Sequence, residues 1–313
     1  MKRHFANMVF ALILIAYTVY AALDTFVIVR VLTPDTLPTA TAEASTAPTE
    51  APTAVPTATE PPAEQATTAP ISTDTEYHDD QIDIVLTTMR VENTTVYVAD
   101  VQIADIFLLK TALAGNTYAR NLTETTSVQA ANAGAILAIN GDYYGAQERG
   151  YVLRNGVLYR ASAQSGTDAL VIAADGNFRI INEGETSADT LVREGAWQVL
   201  TFGPALVKDG QVTVSSSDEV GRAMTSNPRT AIGQISEGHY LLVVSDGRTK
   251  ESTGLSLRQL AELMQSLGAQ VAYNLDGGGS STMVFQGRVV NNPTTNGRSI
   301  RERSVSDIVY IGY

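Results

Sequence analysis

Apolar positions divide this chain into three parts. Residues 8–23 are almost continuously apolar, and the run resumes at residues 26–29 after Asp24. Residues 33–76 carry no sustained apolar run, whereas residues 77–313 contain many short apolar stretches separated by Gly, Asn and Asp. Many short strands with few helical stretches predict an α+β domain at residues 77–313, with mixed, mostly antiparallel sheets and a few packed helices.

The apolar run at residues 1–32 predicts a single membrane-spanning helix. Its length is near the lower limit for crossing a bilayer, and Lys2 and Arg3 before it place the amino terminus in the cytoplasm. A cleaved signal peptide with a small-residue site at residues 19–21 is the alternative. The bulky apolar residues 26–32 favour an uncleaved anchor. Either interpretation exports the remainder. With the favoured anchor, we expect a single-pass protein of the cell membrane with an extracytoplasmic domain.

Residues 33–76 are rich in Thr, Ala, Pro and Glu. Eight of the eleven prolines lie there, and the segment has no Lys or Arg. Such a composition buries too little apolar surface to offset the entropy lost on ordering. The segment is therefore predicted to be a disordered stalk that holds the domain away from the membrane.

Helical patterns are few and short. Residues 257–267 carry one apolar stripe, with a capping box at Ser256 and Gln259 and a stop at Gly268. A shorter helix is expected at residues 127–131, capped by Thr126 or Ser127 and ended by Gly134.

Strand patterns occupy most of the domain. Residues 94–103, 135–139 and 239–244 are predicted strands, and Asn155-Gly156 and Asp175-Gly176 each predict a hairpin turn.

A glycine-rich stretch follows another short apolar run at residues 271–273. Asp276 is followed by three glycines at 277–279 and by Ser280, Ser281 and Thr282. Glycines let the backbone approach a ligand closely, and successive free N–H groups in such a loop can bind an anion. A carboxylate beside an anion cradle suits chemistry on a sugar phosphate. A plain tight turn with a capping aspartate is the alternative.

Composition narrows the chemistry further. The net charge of −12 argues against nucleic-acid binding, and the lack of cysteine excludes disulfides and thiolate nucleophiles. The three histidines, at 4, 78 and 239, supply no evident Ser-His-Asp triad or zinc site. What remains at the ends of apolar runs are carboxylates and arginines: Asp142, Asp246, Asp276 and Glu302, with Arg229, Arg248 and Arg303. Paired carboxylates are the usual equipment for glycoside cleavage, and arginine is the natural partner of a phosphate.

Four motifs stand in an order that resembles a known family. They are Asn140-Gly141-Asp142-Tyr143-Tyr144, Asn227-Pro228-Arg229-Thr230-Ala231, Ser245-Asp246-Gly247-Arg248 and Asn274-Leu275-Asp276-Gly277-Gly278-Gly279-Ser280-Ser281-Thr282. The chain resembles the phosphodiester glycosidase family over residues 80–313. The resemblance implies a hydrolase that cleaves the glycosidic bond of a sugar-1-phosphodiester, in cell-envelope or exopolysaccharide material. A non-catalytic envelope module that binds sugar phosphates is the alternative, and the intact Asp276, Asp246 and Arg229 favour the hydrolase.

The resemblance also implies site residues. Asp276 acts at the sugar, and Asp246 or Glu302 supplies a second carboxylate. The expected substrate contacts are Asn140, Asp142, Arg229, Thr230, Asn274, Gly277, Gly278, Gly279, Ser280, Ser281 and Arg303. Hard oxygen ligands at Asp276 and Asp246 suit a calcium or magnesium ion, although nothing in their spacing requires one. Two departures bear on these roles: Ser304 stands where the family commonly has proline, and Asp142 stands where many members have glycine.

Overall fold

The computed structural model describes residues 2–35, 70–215 and 226–313. Its helices are α1 (Lys2–Phe26), α2 (Thr126–Ala133), α3 (Ala188–Arg193) and α4 (Leu257–Ser266). Its strands are β1 (Arg30–Val31), β2 (Ile71–Ser72), β3 (Glu76–His78), β4 (Ile82–Val91), β5 (Thr94–Ile103), β6 (Leu109–Leu113), β7 (Ala119–Arg120), β8 (Leu137–Asn140), β9 (Val152–Arg154), β10 (Val157–Arg160), β11 (Asp168–Ala173), β12 (Phe178–Asn182), β13 (Ala196–Leu200), β14 (Ala205–Lys208), β15 (Gln211–Val212), β16 (Arg229–Ser236), β17 (His239–Ser245), β18 (Val271–Leu275), β19 (Met283–Phe285), β20 (Arg288–Val289) and β21 (Asp307–Ile311).

Within the described residues these strands form four sheets, and all their neighbouring strands pair antiparallel. Nine strands make the largest sheet, in the order β15-β14-β18-β16-β17-β5-β4-β3-β2. Two five-stranded sheets have the orders β20-β19-β8-β21-β6 and β10-β9-β13-β11-β12, and β1 pairs with β7. The α+β class with mostly antiparallel sheets and few helices is confirmed.

The main core lies on one face of the nine-stranded sheet, where the two five-stranded sheets cover it. Ile84, Ile232 and Leu242 of the large sheet share this core with Leu137 and Leu170 of the smaller sheets. Helix α4 covers the opposite face. Strand β5 is therefore buried on both faces, because Val96 and Val98 face α4 while Val101 and Ile103 face the main core.

Local signals predicted the helices with small errors. Helix α4 has the capping box between Ser256 and Gln259, as predicted. Gly134 ends α2 with φ of 64°, but the α2 cap is Thr125, whose hydroxyl accepts from the Val128 N–H. The prediction of Thr126 or Ser127 was wrong because several neighbouring hydroxyl residues can cap and only the backbone path decides among them.

Two segments near the amino terminus differ from the sequence picture. Residues 71–76 were assigned to the stalk, yet β2 and β3 pair at the edge of the large sheet. The strand β4 was not predicted, although Ile82, Ile84 and Leu86 alternate with exposed positions and are buried. The stalk prediction at residues 36–69 lies outside the described residues. Helix α1 contains a stretch, Asn7–Thr25, that is long and apolar enough to cross a membrane.

Candidate active site

The predicted motifs meet at one end of three neighbouring strands of the large sheet, β18, β16 and β17. Strand β16 begins at Arg229, while the antiparallel strands β17 and β18 end at Ser245 and Leu275. Pairing of Thr230 with Leu275 and of Arg229 with Ser245 therefore brings the strand start and both strand ends together. Asp276 follows directly after β18 at this end.

Asp276 is held by a serine and an arginine. Its Oδ2 accepts from the Ser280 hydroxyl at 2.6 Å and from Arg303 Nη2 at 3.2 Å. Arg303 Nε also donates to Ser280 Oγ at 2.9 Å, so the hydroxyl links the two charged groups. The side chain of Asp276 is 14% exposed and that of Arg303 is 44% exposed. Burial raises the pKa of Asp276, and the Ser280 hydrogen bond and the Arg303 charge oppose that rise.

Three N–H groups of the glycine loop are already hydrogen-bonded within the protein. The loop contains a turn of 3₁₀ helix at Gly278–Ser280, so some of its backbone N–H groups bond to its own carbonyls. The Gly278 N–H donates to Pro228 O at 2.8 Å, and the N–H groups of Ser280 and Ser281 donate to carbonyls inside the loop at 3.3 Å. The interpretation of these N–H groups as free donors was therefore wrong. Only Gly278 among the three glycines has positive φ, at 63°.

Close packing explains the other two glycines. A Cβ on Gly277 would lie 3.0 Å from Pro228 O, and a Cβ on Gly279 would lie 2.5 Å from Thr295 Oγ1. The loop thus lies tightly against its neighbours.

Buried amide and hydroxyl groups fix the loop to the sheets. Asn140, at the end of β8, donates to Asp276 O at 2.7 Å. Its Oδ1 accepts from Thr230 Oγ1 at 2.9 Å and from the Thr282 N–H at 3.2 Å. Asn140 and Thr230 are fully buried, so they connect the two sheets behind Asp276 and do not face solvent.

Two cavities meet at Asp276 and Arg303. The first, here called the tyrosine cavity, has a volume of about 300 Å³ and is also lined by Asn121, Tyr143, Ser280 and Ser304. The second, the arginine cavity, has a volume of about 310 Å³ and is also lined by Phe202, Arg229, Arg248, Asn274 and Gly277. A ligand that spans both cavities would lie across the Asp276–Arg303 pair.

An aromatic pair stands between the two cavities. The Tyr143 and Phe202 rings meet edge to face, with centroids 6.4 Å apart. Tyr143 has φ of 70° and is 42% exposed, so its ring is available to the tyrosine cavity. Exposed aromatic faces suit the apolar face of a sugar ring.

The arginine cavity is built by constrained cations. Arg229 is buried and donates from Nε to Leu255 O at 2.9 Å. Arg248 donates from Nη1 to Thr295 O and from Nη2 to Asn227 Oδ1. Their rigid guanidinium groups suit recognition of a phosphate. Asn274 donates to Gly203 O at 2.7 Å, and its buried Oδ1 has no partner among the described residues.

The two expected second carboxylates line neither cavity. Asp246 accepts from the Asn292 N–H at 2.8 Å and from the Asn292 side-chain amide at 2.9 Å. Glu302 accepts from the Ser127 N–H at 2.9 Å and so binds the first turn of α2. Among the described lining residues, Asp276 is the single carboxylate of both cavities.

Asp276 and Asp246 have separate partners, since Asp276 accepts from Ser280 and Arg303 and Asp246 accepts from Asn292. The described ranges contain no group of three or more His, Asp or Glu side chains arranged to hold a metal ion. Gly279, Ser281 and Asp142, also expected to contact substrate, line neither cavity.

A buried ion network lies behind the tyrosine cavity. Arg154 Nη2 lies 2.8 Å from Asp142 Oδ1 and 3.0 Å from Asp307 Oδ2, and all three side chains are at most 2% exposed. Asp142 also accepts from the N–H groups of Thr201 and Tyr144, at 2.7 and 3.2 Å. These bonds fix the backbone on both sides of Tyr143. Burial, together with the Asp142 charge, raises the pKa of Asp307 to about 7.

Comparison with known proteins decides the family. The sequence profile of the phosphodiester glycosidase family matches residues 133–312. The chain belongs to the phosphodiester glycosidase family. The matched residues include Asp276 and Arg303 and the described lining of the arginine cavity, whereas Asn121 of the tyrosine cavity lies before them.

Curated relatives are similar over limited lengths. A prophage-derived protein of Bacillus subtilis, YomE, is 32% identical over 195 residues, which are 61% of this chain and 30% of YomE. The mouse N-acetylglucosamine-1-phosphodiester alpha-N-acetylglucosaminidase is 31% identical over 109 residues, which are 31% of this chain and 21% of the mouse enzyme. The chain therefore spans less than a third of the length of these relatives.

Solved structures share the fold. The auto-inhibited catalytic domain of the zebrafish N-acetylglucosamine-1-phosphodiester alpha-N-acetylglucosaminidase matches with a TM-score of 0.59 and 20% identity, covering 74% of this chain and 83% of that chain. A hypothetical protein from Synechocystis matches with a TM-score of 0.57 and 16% identity, covering 74% of this chain and 62% of that chain.

Several residues of the candidate site were not predicted. Tyr143 lies inside a motif that drew attention to its neighbours, and Phe202 precedes the Gly203-Pro204 pair. Arg154 and Asp307 lie at strand ends without any local signal. Asn121 carries no feature that would single it out.

Proposed function

We propose that this phosphodiester glycosidase domain hydrolyses the glycosidic bond of a sugar-1-phosphodiester. The observation that carries the proposal is the Asp276–Arg303 pair at the junction of two cavities. One cavity is rich in arginine and the other presents an exposed tyrosine. A sugar-1-phosphodiester offers a phosphate group to the arginines and a sugar ring to the tyrosine.

The phosphate group belongs in the arginine cavity. Arg229 and Arg248 line it, and Arg303 lies at its junction with the tyrosine cavity. Guanidinium groups donate paired hydrogen bonds to phosphate oxygens, and they take the role first assigned to the loop N–H groups. The sugar ring then lies in the tyrosine cavity against Tyr143.

Asp276 is the reacting carboxylate in this arrangement. Ionised, it attacks the anomeric carbon or activates a water molecule that does so. The phosphate group departs as a phosphomonoester, which is a much weaker base than a sugar alkoxide, so protonation by a second carboxylic acid is less necessary. Stabilisation of the departing phosphate by arginines replaces that proton donor. The single lining carboxylate is consistent with such chemistry.

A non-catalytic sugar-phosphate-binding module is the second candidate. The single lining carboxylate favours this module, because glycosidases usually present two carboxylates and the described lining residues offer one.

Turnover separates the two functions. The purified protein is incubated with a synthetic N-acetylglucosamine-1-phosphodiester, and free sugar is quantified against the Asp276→Asn variant. If the protein is a hydrolase, the parent protein should release free sugar and the Asp276→Asn variant should not. The variant should keep its melting temperature, because the neutral amide avoids the cost of burying a charge. Binding of the phosphodiester without release by the parent protein would favour the module.

The natural setting that we propose is the cell envelope. Helix α1 serves as an uncleaved anchor, with the amino terminus in the cytoplasm and residues 77–313 outside. Envelope or exopolysaccharide material would then supply the substrate. Protease added to intact cells should cut the chain between helix α1 and residue 77, and a chain that stays protected would contradict this topology.

A further inference from the structure

The residues after helix α1 do not leave the domain freely. Strand β1 pairs with β7, with Arg30 opposite Arg120 and Val31 opposite Ala119. The Leu32 N–H donates to Tyr118 O at 2.9 Å, and the Leu32 side chain packs on the cluster of Tyr118, Tyr144 and Val152. The chain that follows the helix therefore pairs with the domain in a two-stranded sheet.

A second contact continues this docking. The Asp35 N–H donates to Tyr159 O at 3.2 Å, and Asp35 Oδ2 accepts from the Ala161 N–H at 2.7 Å. We call residues 27–35 the docking segment. Its contacts at both ends fix it against the domain.

The docked segment lies beside the tyrosine cavity. Asn121 lines that cavity, and its side-chain amide donates to Ile28 O at 3.1 Å and to Asp24 O at 3.3 Å. The cavity wall thus touches the carboxyl end of helix α1 directly.

The helix end fits a membrane surface. The 19 residues of the mainly apolar stretch Asn7–Thr25 span roughly 28 Å as a helix, close to the hydrocarbon thickness of a bilayer. Asp24 and Ile28 would then lie at the outer interface. Val27 and Val31 are 62% and 73% exposed, and a lipid headgroup region would cover such apolar side chains.

We infer that the docking segment holds the mouth of the tyrosine cavity at the outer surface of the membrane, where it accepts lipid-attached glycosyl phosphodiesters. The inference rests on the proposed function for its chemistry and on α1 as an uncleaved anchor for its geometry. It assigns the docking segment, and not the whole of residues 33–76, to the control of distance from the membrane.

Fluorescence quenching tests the geometry without any need for activity. The chain has no cysteine, so Tyr143→Cys creates a single labelling site at the cavity. The labelled full-length protein is reconstituted into phosphatidylcholine–phosphatidylglycerol vesicles that contain a headgroup spin-labelled lipid. Leu32→Pro removes both the N–H donor and the packed side chain. Thr33→Pro is the matched control, because adjacent N–H groups of a strand point in opposite directions.

The inference predicts strong quenching in the parent and in Thr33→Pro, and several-fold weaker quenching in Leu32→Pro. Equal quenching in all three proteins, or none in the parent, would overturn it. A mature protein whose sequence begins beyond residue 21 would overturn it too, because the tether would be gone.

Cysteine trapping covers the case in which Leu32→Pro does not fold. Directly paired residues of antiparallel strands lie within disulfide range. Arg30→Cys with Arg120→Cys should therefore form a disulfide under mild oxidation, whereas Val29→Cys with Arg120→Cys should not. Failure of the first pair to crosslink would refute the docking.

Substrate choice tests the chemical part of the inference. Undocking by Leu32→Pro should slow hydrolysis of a lipid-linked sugar phosphodiester in the same vesicle several-fold, and it should leave a soluble sugar phosphodiester unaffected. An equal effect on both substrates would refute the membrane-attached substrate. If the parent cleaves neither substrate, the proposed function and the substrate class fail together, while quenching still decides the geometry.

Discussion

The buried ion network should carry much of the stability of the domain. Arg154→Met keeps the apolar bulk of the side chain but leaves Asp142 and Asp307 buried without their cation. Breaking a buried ion pair on one side costs about 3–5 kcal/mol of unfolding free energy. For a domain of this size each kcal/mol lowers the melting temperature by about 2–4 °C, so we expect a loss of roughly 6–20 °C.

The same substitution at an exposed ion pair provides the control. Arg179 pairs with Glu194, and both side chains are nearly half exposed. Arg179→Met should therefore cost about 1 kcal/mol or less. Denaturant unfolding at neutral pH, followed by circular dichroism, measures both variants. Equal, small losses for the two variants would refute the stabilising role of the network.

The stability contributed by the ion network should also depend on pH. The pKa of Asp307 is raised to about 7, above its unfolded value, so the folded state binds more protons than the unfolded state. Its contribution to stability therefore falls as the pH rises from about 4 to about 7. Asp307→Asn should remove this part of the pH dependence. In Arg154→Met the loss of stability should shrink as the pH falls, because the Asp307 carboxyl, left without its cation, becomes neutral. A loss that does not vary with pH would contradict the argument.

Two further predictions concern the site. Arg303→Gln removes a positive charge that holds the pKa of Asp276 down, so the acid limb of the kcat/KM profile should move to higher pH; an unchanged profile would mean that Asp276 does not set this limb. Arg229→Lys keeps the charge but loses the planar fork, so it should reduce kcat/KM for phosphodiester substrates more than for aryl glycosides; equal reductions would remove Arg229 from phosphate recognition.

The features that were predicted correctly depend on residues that are close together in the sequence. Helix α4 follows from an apolar stripe and a capping box within a dozen residues, and its cap has the predicted geometry. The placement of Asp276 at the end of a strand follows equally from the run that precedes it. Such features depend on neighbours in sequence, which a single sequence displays.

Contacts between residues that are far apart in the sequence could not be predicted from local patterns. Arg154 and Asp307 are 153 positions apart, and neither has a neighbour that marks it as buried. Asp246 and Glu302 were candidate catalytic groups by residue type and position. Their hydrogen bonds to Asn292 and Ser127 depend on how distant loops fold together. The free-donor interpretation of the glycine loop was wrong for a related reason, since Pro228 lies far away in sequence and accepts one of the N–H bonds.

In the proposed reaction, the bond that breaks joins the anomeric carbon of the sugar to the phosphate oxygen. Hydrolysis of a sugar-1-phosphodiester in water enriched in oxygen-18 tests it, with the released phosphomonoester examined by phosphorus NMR. Attack at the anomeric carbon leaves all phosphate oxygens from the substrate, so we expect a phosphomonoester free of oxygen-18. One solvent-derived oxygen in the phosphate would show attack at phosphorus and contradict a glycosidase mechanism centred on Asp276.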